Sequence, residues 1–232
     1  MMKNKRLVVL TGAGMSAESG LKTFRDADGL WEGHDVMEVA SPQGFAKNPE
    51  LVMEFYNQRR RQLKEVEPNE GHLAVAQLEA HFNVDIITQN VDNLHEKAGS
   101  TKVLHLHGEL LKVRSVQNEN HVLTWTEDLV IGDLDENGHQ LRPHIVWFGE
   151  MVPMMEAAIA ITAKADILII IGTSMQVYPA ASLINYVSSR TPIYFIDPRP
   201  NISEHQFQNL TIISENAAKG MPRLAKELIN GQ

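Results

Sequence analysis

Leu7-Val8-Val9-Leu10-Thr11-Gly12-Ala13-Gly14-Met15-Ser16 is the stretch that decides the fold. The run from Leu7 to Leu10 is apolar without alternation, as in a strand covered on both faces within a parallel sheet. It ends in small residues. Glycine at 12 and 14 lets the backbone turn sharply and come close to an anion, with amide N–H groups facing it. Ala17-Glu18-Ser19-Gly20 follows as a short helix or a loop, and Ala17 satisfies the last position of a G-x-G-x-x-G/A dinucleotide turn. A Gly-Ala-Gly turn also joins strands to helices with no ligand present, so the stretch alone does not establish a nucleotide site.

The totals narrow the class. A chain of 232 residues fits one large domain, or one domain carrying an inserted module. Apolar residues at 43% and charged residues at 22% are ordinary for a globular protein. The 21 basic residues against 29 acidic ones leave a net charge of −8, with no cationic excess to displace counterions. That argues against nucleic acid and against an anionic membrane surface as partners. The absence of cysteine excludes disulfides, thiolate metal ligands and a cysteine nucleophile. The segment before Leu7 is too short and polar for a leader, and no apolar run reaches transmembrane length. A cytoplasmic protein is the expectation.

Along the chain, residues 21–44 are rich in turn formers and read as a long ordered loop with short helices. A helix over 49–66 starts with Asn48 as N-cap and Pro49 at N1, and a second helix covers 69–81. Strands are expected at 84–88 and 103–106. Between 110 and 142 short β-like pieces (111–115 and 122–125) alternate with polar turns, as in a small inserted β module. A helix to Ala165, a strand at 167–171, a helix over 179–189, a strand at 193–196, a short strand at 212–213 and a helix over 221–229 close the chain. Strands alternating with helices imply an α/β fold, a Rossmann-like doubly wound parallel sheet. The expected division is a core of 1–30, 72–108 and 150–232, with a small, part-helical and part-β module of 31–71 and 109–149.

Polar clusters sit at the carboxyl end of every main strand. They are Gly12-Ala13-Gly14, Gln89-Asn90-Val91-Asp92, His105 with His107, Gly172-Thr173-Ser174, and Asp197. Ligands of open parallel sheets bind along that edge. Each cluster alone is ordinary turn chemistry; five on one edge suggest a dinucleotide. His105 and His107 lie two residues apart on one strand face, so spacing cannot say which would act as a base.

Residues 12–25, GAGMSAESGLKTFR, resemble the cofactor loop of the sirtuins, NAD-dependent protein lysine deacylases. Residues 88–95, TQNVDNLH, resemble their second motif, and 105–109, HLHGE, their catalytic-histidine motif. Val146-Trp147-Phe148-Gly149-Glu150 and Gly172-Thr173-Ser174 with Val177 are similar to two more. The resemblance implies NAD as co-substrate, held by Gly12, Ala13, Gly14, Ser16, Glu18, Phe24, Arg25, Trp31, Gln89, Asn90, Asp92, Gly172, Thr173, Ser174, Asp197 and Ala217. It selects His107, the histidine directly before Gly-Glu, as general base, with Asn90 beside it in the chemistry. It implies acyl-lysine protein or peptide substrates, held at Val146, Phe148, Gly149 and Val177 by backbone addition. Asp197 stands where many sirtuins have Asn; a carboxylate there can accept both ribose hydroxyls and would repel a 2′-phosphate.

Tyr56 and Arg59 are i and i+3 on one helix and share a face. A guanidinium is the natural bidentate partner of a carboxylate, although Arg59 also belongs to a basic run, Arg59-Arg60-Arg61, of the kind usually found solvated. Ala40-Ser41-Pro42 with residues 55–59 is similar to the class III sirtuin pattern, which implies a pocket widened by Ala40 and a preference for succinyl- or malonyl-lysine over acetyl-lysine. The chain departs from most sirtuins in lacking the four zinc cysteines. Ser115 stands near the first of them, and the spacing of His121, Asp133, Asp135, Glu136 and His139 fits no tetrahedral zinc site. No metal is therefore expected, and apolar packing around Leu111, Val113, Val122, Leu123 and Trp125 is expected to hold the module. Two other activities fit the same fold: a mono-ADP-ribosyltransferase, and a non-catalytic sensor of NAD or ADP-ribose.

Overall fold

The computed structural model describes residues 5–22, 30–31, 33–203 and 206–231. In chain order the elements are β1 (Arg6–Thr11), β2 (Leu30–Trp31), β3 (His34–Asp35), α1 (Val36–Val39), α2 (Pro42–Lys47), α3 (Pro49–Leu63), α4 (Glu70–Leu78), β4 (Asn83–Thr88), α5 (Leu94–Lys97), β5 (Val103–His105), β6 (Gly108–Ser115), β7 (Val122–Thr124), β8 (Leu141–Ile145), α6 (Met155–Thr162), β9 (Ile167–Ile171), β10 (Ile193–Ile196), β11 (Leu210–Ile213) and α7 (Ala217–Asn230).

Six strands form one parallel sheet in the order β11-β10-β9-β1-β4-β5. From β1 the chain builds outward through β4 and β5, then returns to lay β9, β10 and β11 on the other side. Strand order therefore reverses between β1 and β9, and a doubly wound sheet opens its ligand crevice at such a reversal. The apolar run of β1 divides by strand parity. Leu7 and Val9 join Ile86, Ile169 and Ile171 beneath α4 and α7; Val8 and Leu10 join Ile87, Leu168 and Ile170 on the opposite face, against Ala158 of α6.

The small module has helical and β parts. Its antiparallel sheet runs β7-β6-β8. Helix α3 starts as its sequence dictates: the Asn48 side chain accepts from Leu51 N, and Pro49 occupies the first turn. It buries Val52, Phe55, Tyr56 and Leu63 against Leu94, Leu110, Ile145 and Trp147.

Several expectations need correction. Val122 and Leu123 are each 37% exposed and do not form the β module's core; Met53, Val113, Leu129 and Leu141 do, flanked by Phe45 and Trp125. The helix expected over 179–189 is a 3-10 segment, Ala180–Tyr186, followed by extended backbone. The last helix begins at Ala217, four residues before the expected start, and accommodates Pro222 inside it. Arg60, expected in a solvated basic run, is fully buried.

Candidate active site

The crevice is built around close backbone contact between the β1 and β9 turns. Gly12 N donates to Ile171 O at 3.0 Å and Gly14 N to Gly172 O at 2.8 Å. A Cβ on Gly14 would lie 2.7 Å from Gly172 Cα, and one on Gly172 would lie 2.4 Å from Gly14 C. Gly172 also has φ +61°, which disfavours a side chain. The glycines are thus required first for packing one turn onto the other. This corrects the simplest reading of the motif, because the Gly12 and Gly14 amides serve β9 rather than an anion. After Ala13–Met15 the chain runs on as 3-10 turns, not an α-helix.

Buried polar groups line the crevice from β4. Asn90 Nδ2 donates to Ser16 Oγ at 3.1 Å, and Ser16 Oγ donates to Asp92 Oδ2 at 2.9 Å. Burial pushes the Asp92 carboxyl up, opposed by the Leu94 amide and the Ser16 hydroxyl. Gln89 Nε2 reaches across to Thr173 Oγ1 at 3.2 Å and ties the β4 end to the β9 end, with Ser174 half-buried beside it.

The two histidines differ in what their nitrogens can do. His107 Nδ1 lies 3.0 Å from the Gln89 carbonyl, which only accepts, so Nδ1 carries the proton and Nε2 keeps a lone pair. Burial lowers the His107 pKa, partly offset by that carbonyl, so the ring is neutral near pH 7. His105 Nδ1 bonds the Asn90 carbonyl at 3.0 Å and Nε2 meets Glu96 Oε1 at 2.8 Å. Both partners accept, so both nitrogens need protons. Burial would lower the His105 pKa, but the Glu96 carboxylate and the Asn90 carbonyl raise it. Of the pair, His107 has the nitrogen able to accept a proton.

The other predicted cofactor contacts fall in three places. Asp197 is buried at the end of β10, with Oδ1 accepting from Arg199 N at 2.8 Å. Ala217 is buried in the first turn of α7, and Glu18 Oε2 lies 3.4 Å from the adjacent Ala218 amide. Trp31 lies in the small module's aromatic cluster, its ring 4.8 Å from Phe55 and 6.1 Å from Tyr56. Phe24 and Arg25 lie outside the described residues.

Tyr56 and Arg59 share one face of α3, as their spacing requires. Tyr56 is fully buried and its Oη accepts from Trp147 Nε1 at 3.0 Å. The Arg59 guanidinium is half-buried, stacked 3.3 Å from the Phe55 ring centroid and 5.4 Å from Trp31, with Nη1 donating to Phe55 O at 2.5 Å. Ala40 is buried, and its carbonyl accepts from Phe148 N at 2.9 Å. Val146 N donates to His107 O at 2.9 Å, so the segment after β8 runs directly past the histidine. Phe148, Gly149 and Val177 are exposed, with Phe148 at 42%.

A family model described as the Sir2 family matches residues 12–179. This chain belongs to the Sir2 family. An NAD-dependent protein deacylase of Helicobacter pylori is 60% identical over 225 residues, covering 97% of this chain and 98% of that protein. One from Bacteroides thetaiotaomicron is 51% identical over 97% of this chain and 98% of its own length. A solved Sir2 homologue in complex with NAD superimposes with a TM-score of 0.87 at 40% identity, covering 98% of this chain and 90% of that one. A Sir2 protein bound to an acetylated peptide gives 0.78 at 28% identity, covering 95% and 92%.

This Sir2 chain also has site residues that motif reading passed over. His72 Nδ1 accepts from Asn69 N, so its Nε2–H points to Ser16 Oγ, 3.5 Å away. Burial takes His72 down to about 4, which keeps it neutral. Asn69 followed by His72 is an N-cap and N3 pair, and the cap position was the available signal. In the β module, Arg142 and Arg114 both bond Glu150. Around the position of the missing zinc cysteine, Ser115 Oγ accepts from the Gln117 amide, while Asp135 accepts from the Ser115 hydroxyl and from the Asn137 and His139 amides. Among the described residues no group of three or more His, Asp or Glu is placed to hold a metal ion.

Proposed function

We propose that this Sir2-family chain is an NAD-dependent protein lysine deacylase that prefers acidic acyl groups, succinyl or malonyl, over acetyl. The single observation that carries the acyl preference is the pair of Arg59, held against Phe55 and Trp31, and Tyr56, buried one turn away on the same helix. A guanidinium and a phenol hydroxyl together offer three donors to one carboxylate.

The crevice residues suit NAD. The Gly14–Gly172 contact leaves no room for side chains where the backbone is closest, and Ser16, Asn90 and Asp92 present buried polar atoms at the sheet reversal. NAD, when bound, supplies the nicotinamide leaving group and the ribose hydroxyls that receive the acyl group. Gly12, Ala13, Gly14, Ser16, Gly172, Thr173 and Ser174 would hold its phosphate and ribose region, Gly12 and Gly14 by leaving space rather than by donating their amides, and Asn90 and Asp92 would hold the nicotinamide end. His107 takes a ribose hydroxyl proton at Nε2, and its Nδ1–H, fixed by Gln89, keeps the ring in the correct tautomer. Val146, Phe148, Gly149 and Val177 hold the substrate backbone, Ala40 leaves space for the longer acyl chain, and Asp197 favours NAD over its 2′-phosphate. The small module folds without metal, through the Ser115–Asp135 bonds and the Met53–Val113–Leu129–Leu141 cluster.

The test compares succinyl- and acetyl-lysine peptides with wild type and Arg59→Met. The variant should lose succinyl selectivity by about 10- to 100-fold, the size of a lost charged hydrogen-bond pair. Unchanged selectivity would remove Arg59 from acyl recognition.

A further inference from the structure

We infer that Trp147 is a specificity-positioning residue: its indole N–H fixes the Tyr56 hydroxyl as a hydrogen-bond donor for the acyl carboxylate. The inference rests on the acidic-acyl reading above and extends it to a residue outside the Tyr-Arg pair.

An indole nitrogen only donates. The 3.0 Å contact between Trp147 Nε1 and Tyr56 Oη therefore uses the phenol oxygen as acceptor. The phenol's own hydrogen is left over, and among the described residues it meets no acceptor. A fully buried donor without a partner costs free energy unless a ligand supplies the acceptor. A carboxylate can only accept, so it fits that hydrogen; a methyl group, as in an acetyl chain, does not. Without the indole, nothing among the described residues would hold the hydroxyl's lone pairs away from the carboxylate, and they would oppose it.

The indole is held rigidly. Arg142 lies flat on it, Cζ 3.3 Å from the ring centroid. Arg142 Nη1 bonds Glu150 Oε1 at 2.7 Å and Nη2 bonds the Ile145 carbonyl at 3.0 Å. Glu150 Oε2 in turn accepts from the Trp147 backbone amide at 2.8 Å, and Arg114 braces the same carboxylate. Ring face and backbone of Trp147 are thus clamped by one ion-pair network, leaving its N–H edge aimed at Tyr56. The same segment bonds His107 through Val146 and Ala40 through Phe148, so acyl recognition and the base share one support.

The test measures kcat and KM on succinyl- and acetyl-lysine peptides for wild type, Trp147→Phe, Tyr56→Phe and the double variant. The expected result is a fall of about tenfold in the succinyl-to-acetyl ratio of kcat/KM for Trp147→Phe, carried by KM for the succinyl peptide. The double variant should match Tyr56→Phe alone. A merely structural role lowers both substrates together and leaves the ratio intact, which overturns the inference. So does an equal cost of Trp147→Phe with and without the Tyr56 hydroxyl. Wild type with no succinyl preference overturns both this inference and the reading beneath it. A preference that Arg59→Met abolishes and Trp147→Phe spares overturns this inference alone. Should Trp147→Phe not fold, indole N–H resonances of the three tryptophans decide instead. One should shift in Tyr56→Phe and move when succinyl peptide, but not acetyl peptide, is added to wild type. If none moves, the coupling does not exist.

Discussion

His107 and His105 show how neighbouring atoms assign chemistry that spacing leaves open. The two rings lie on the same edge and bond successive carbonyls of residues 89 and 90. Glu96 alone separates them, by giving His105 a second acceptor and so a proton on each nitrogen. If His107 is the base proposed above, its protonation should limit activity in acid. Because burial lowers its pKa, the acid limb of kcat/KM against pH should have its midpoint below the usual imidazole value near 6.5. A midpoint above that value would point to His105 or to another group. His107→Ala should reduce turnover by at least about 100-fold, the usual contribution of a general base.

At the level of elements, helix α3 distributes three consecutive arginines among three environments. Arg59 faces the aromatic cluster, Arg60 bonds the Leu110 carbonyl and Asn57 inside the module, and Arg61 pairs with Glu54 and Asp128 outside. Burial lowers Arg60 to about 10, still charged at neutral pH. Composition reads all three as solvated, because a basic run gives no sign that its middle member points inward. In the β module, β6 and β7 were legible as short strands, but β8 and the packing were not. Val122 and Leu123 look like core, yet β7 is an edge strand, and Met53 from α3 fills the space instead.

Asp135 should give the module's stability a pH dependence. The Ser115 hydroxyl and the His139 amide hold its carboxyl below the usual range. A depressed carboxylate contributes stability that is present above its unfolded pKa and lost as pH falls through the folded one. Wild type should therefore lose thermal stability in acid more steeply than Asp135→Asn, measured as melting temperature against pH. Parallel curves would exclude Asp135 as the cause. Chelator treatment at neutral pH should leave the melting temperature unchanged, and a fall would reveal a structural metal.

Across the whole molecule, the parallel sheet and its polar rim were legible, because continuous apolar strands and small residues at their ends carry that information locally, whereas the strand order and its reversal between β1 and β9 are set by pairing between distant strands and were not. The contact between turns 12–14 and 171–173 was not legible, since it joins residues far apart in the chain, Gly12 to Ile171 and Gly14 to Gly172. It predicts that Gly172→Ala destabilises the fold by about 2–5 kcal/mol, combining a left-handed backbone with overpacking against Gly14. Denaturant unfolding measures this directly, and a loss under about 0.5 kcal/mol would mean the turns are not packed as described. The cross-links around Tyr56, Trp147 and Glu150 were likewise invisible to motif reading, because they join α3, β8 and the segment after it.

In the proposed reading, one rim of the sheet brings NAD, a neutral histidine and an anion-reading helix to the same acyl-lysine. Mass spectrometry of the products formed from NAD and an equimolar mixture of succinyl-, malonyl- and acetyl-lysine peptides tests it most directly. Free lysine peptide and acylated ADP-ribose should form, with the acidic acyl peptides consumed first and turnover lowered by at least about 100-fold in His107→Ala. ADP-ribose attached to protein, acetyl peptide consumed first, or undiminished turnover without His107 would contradict it.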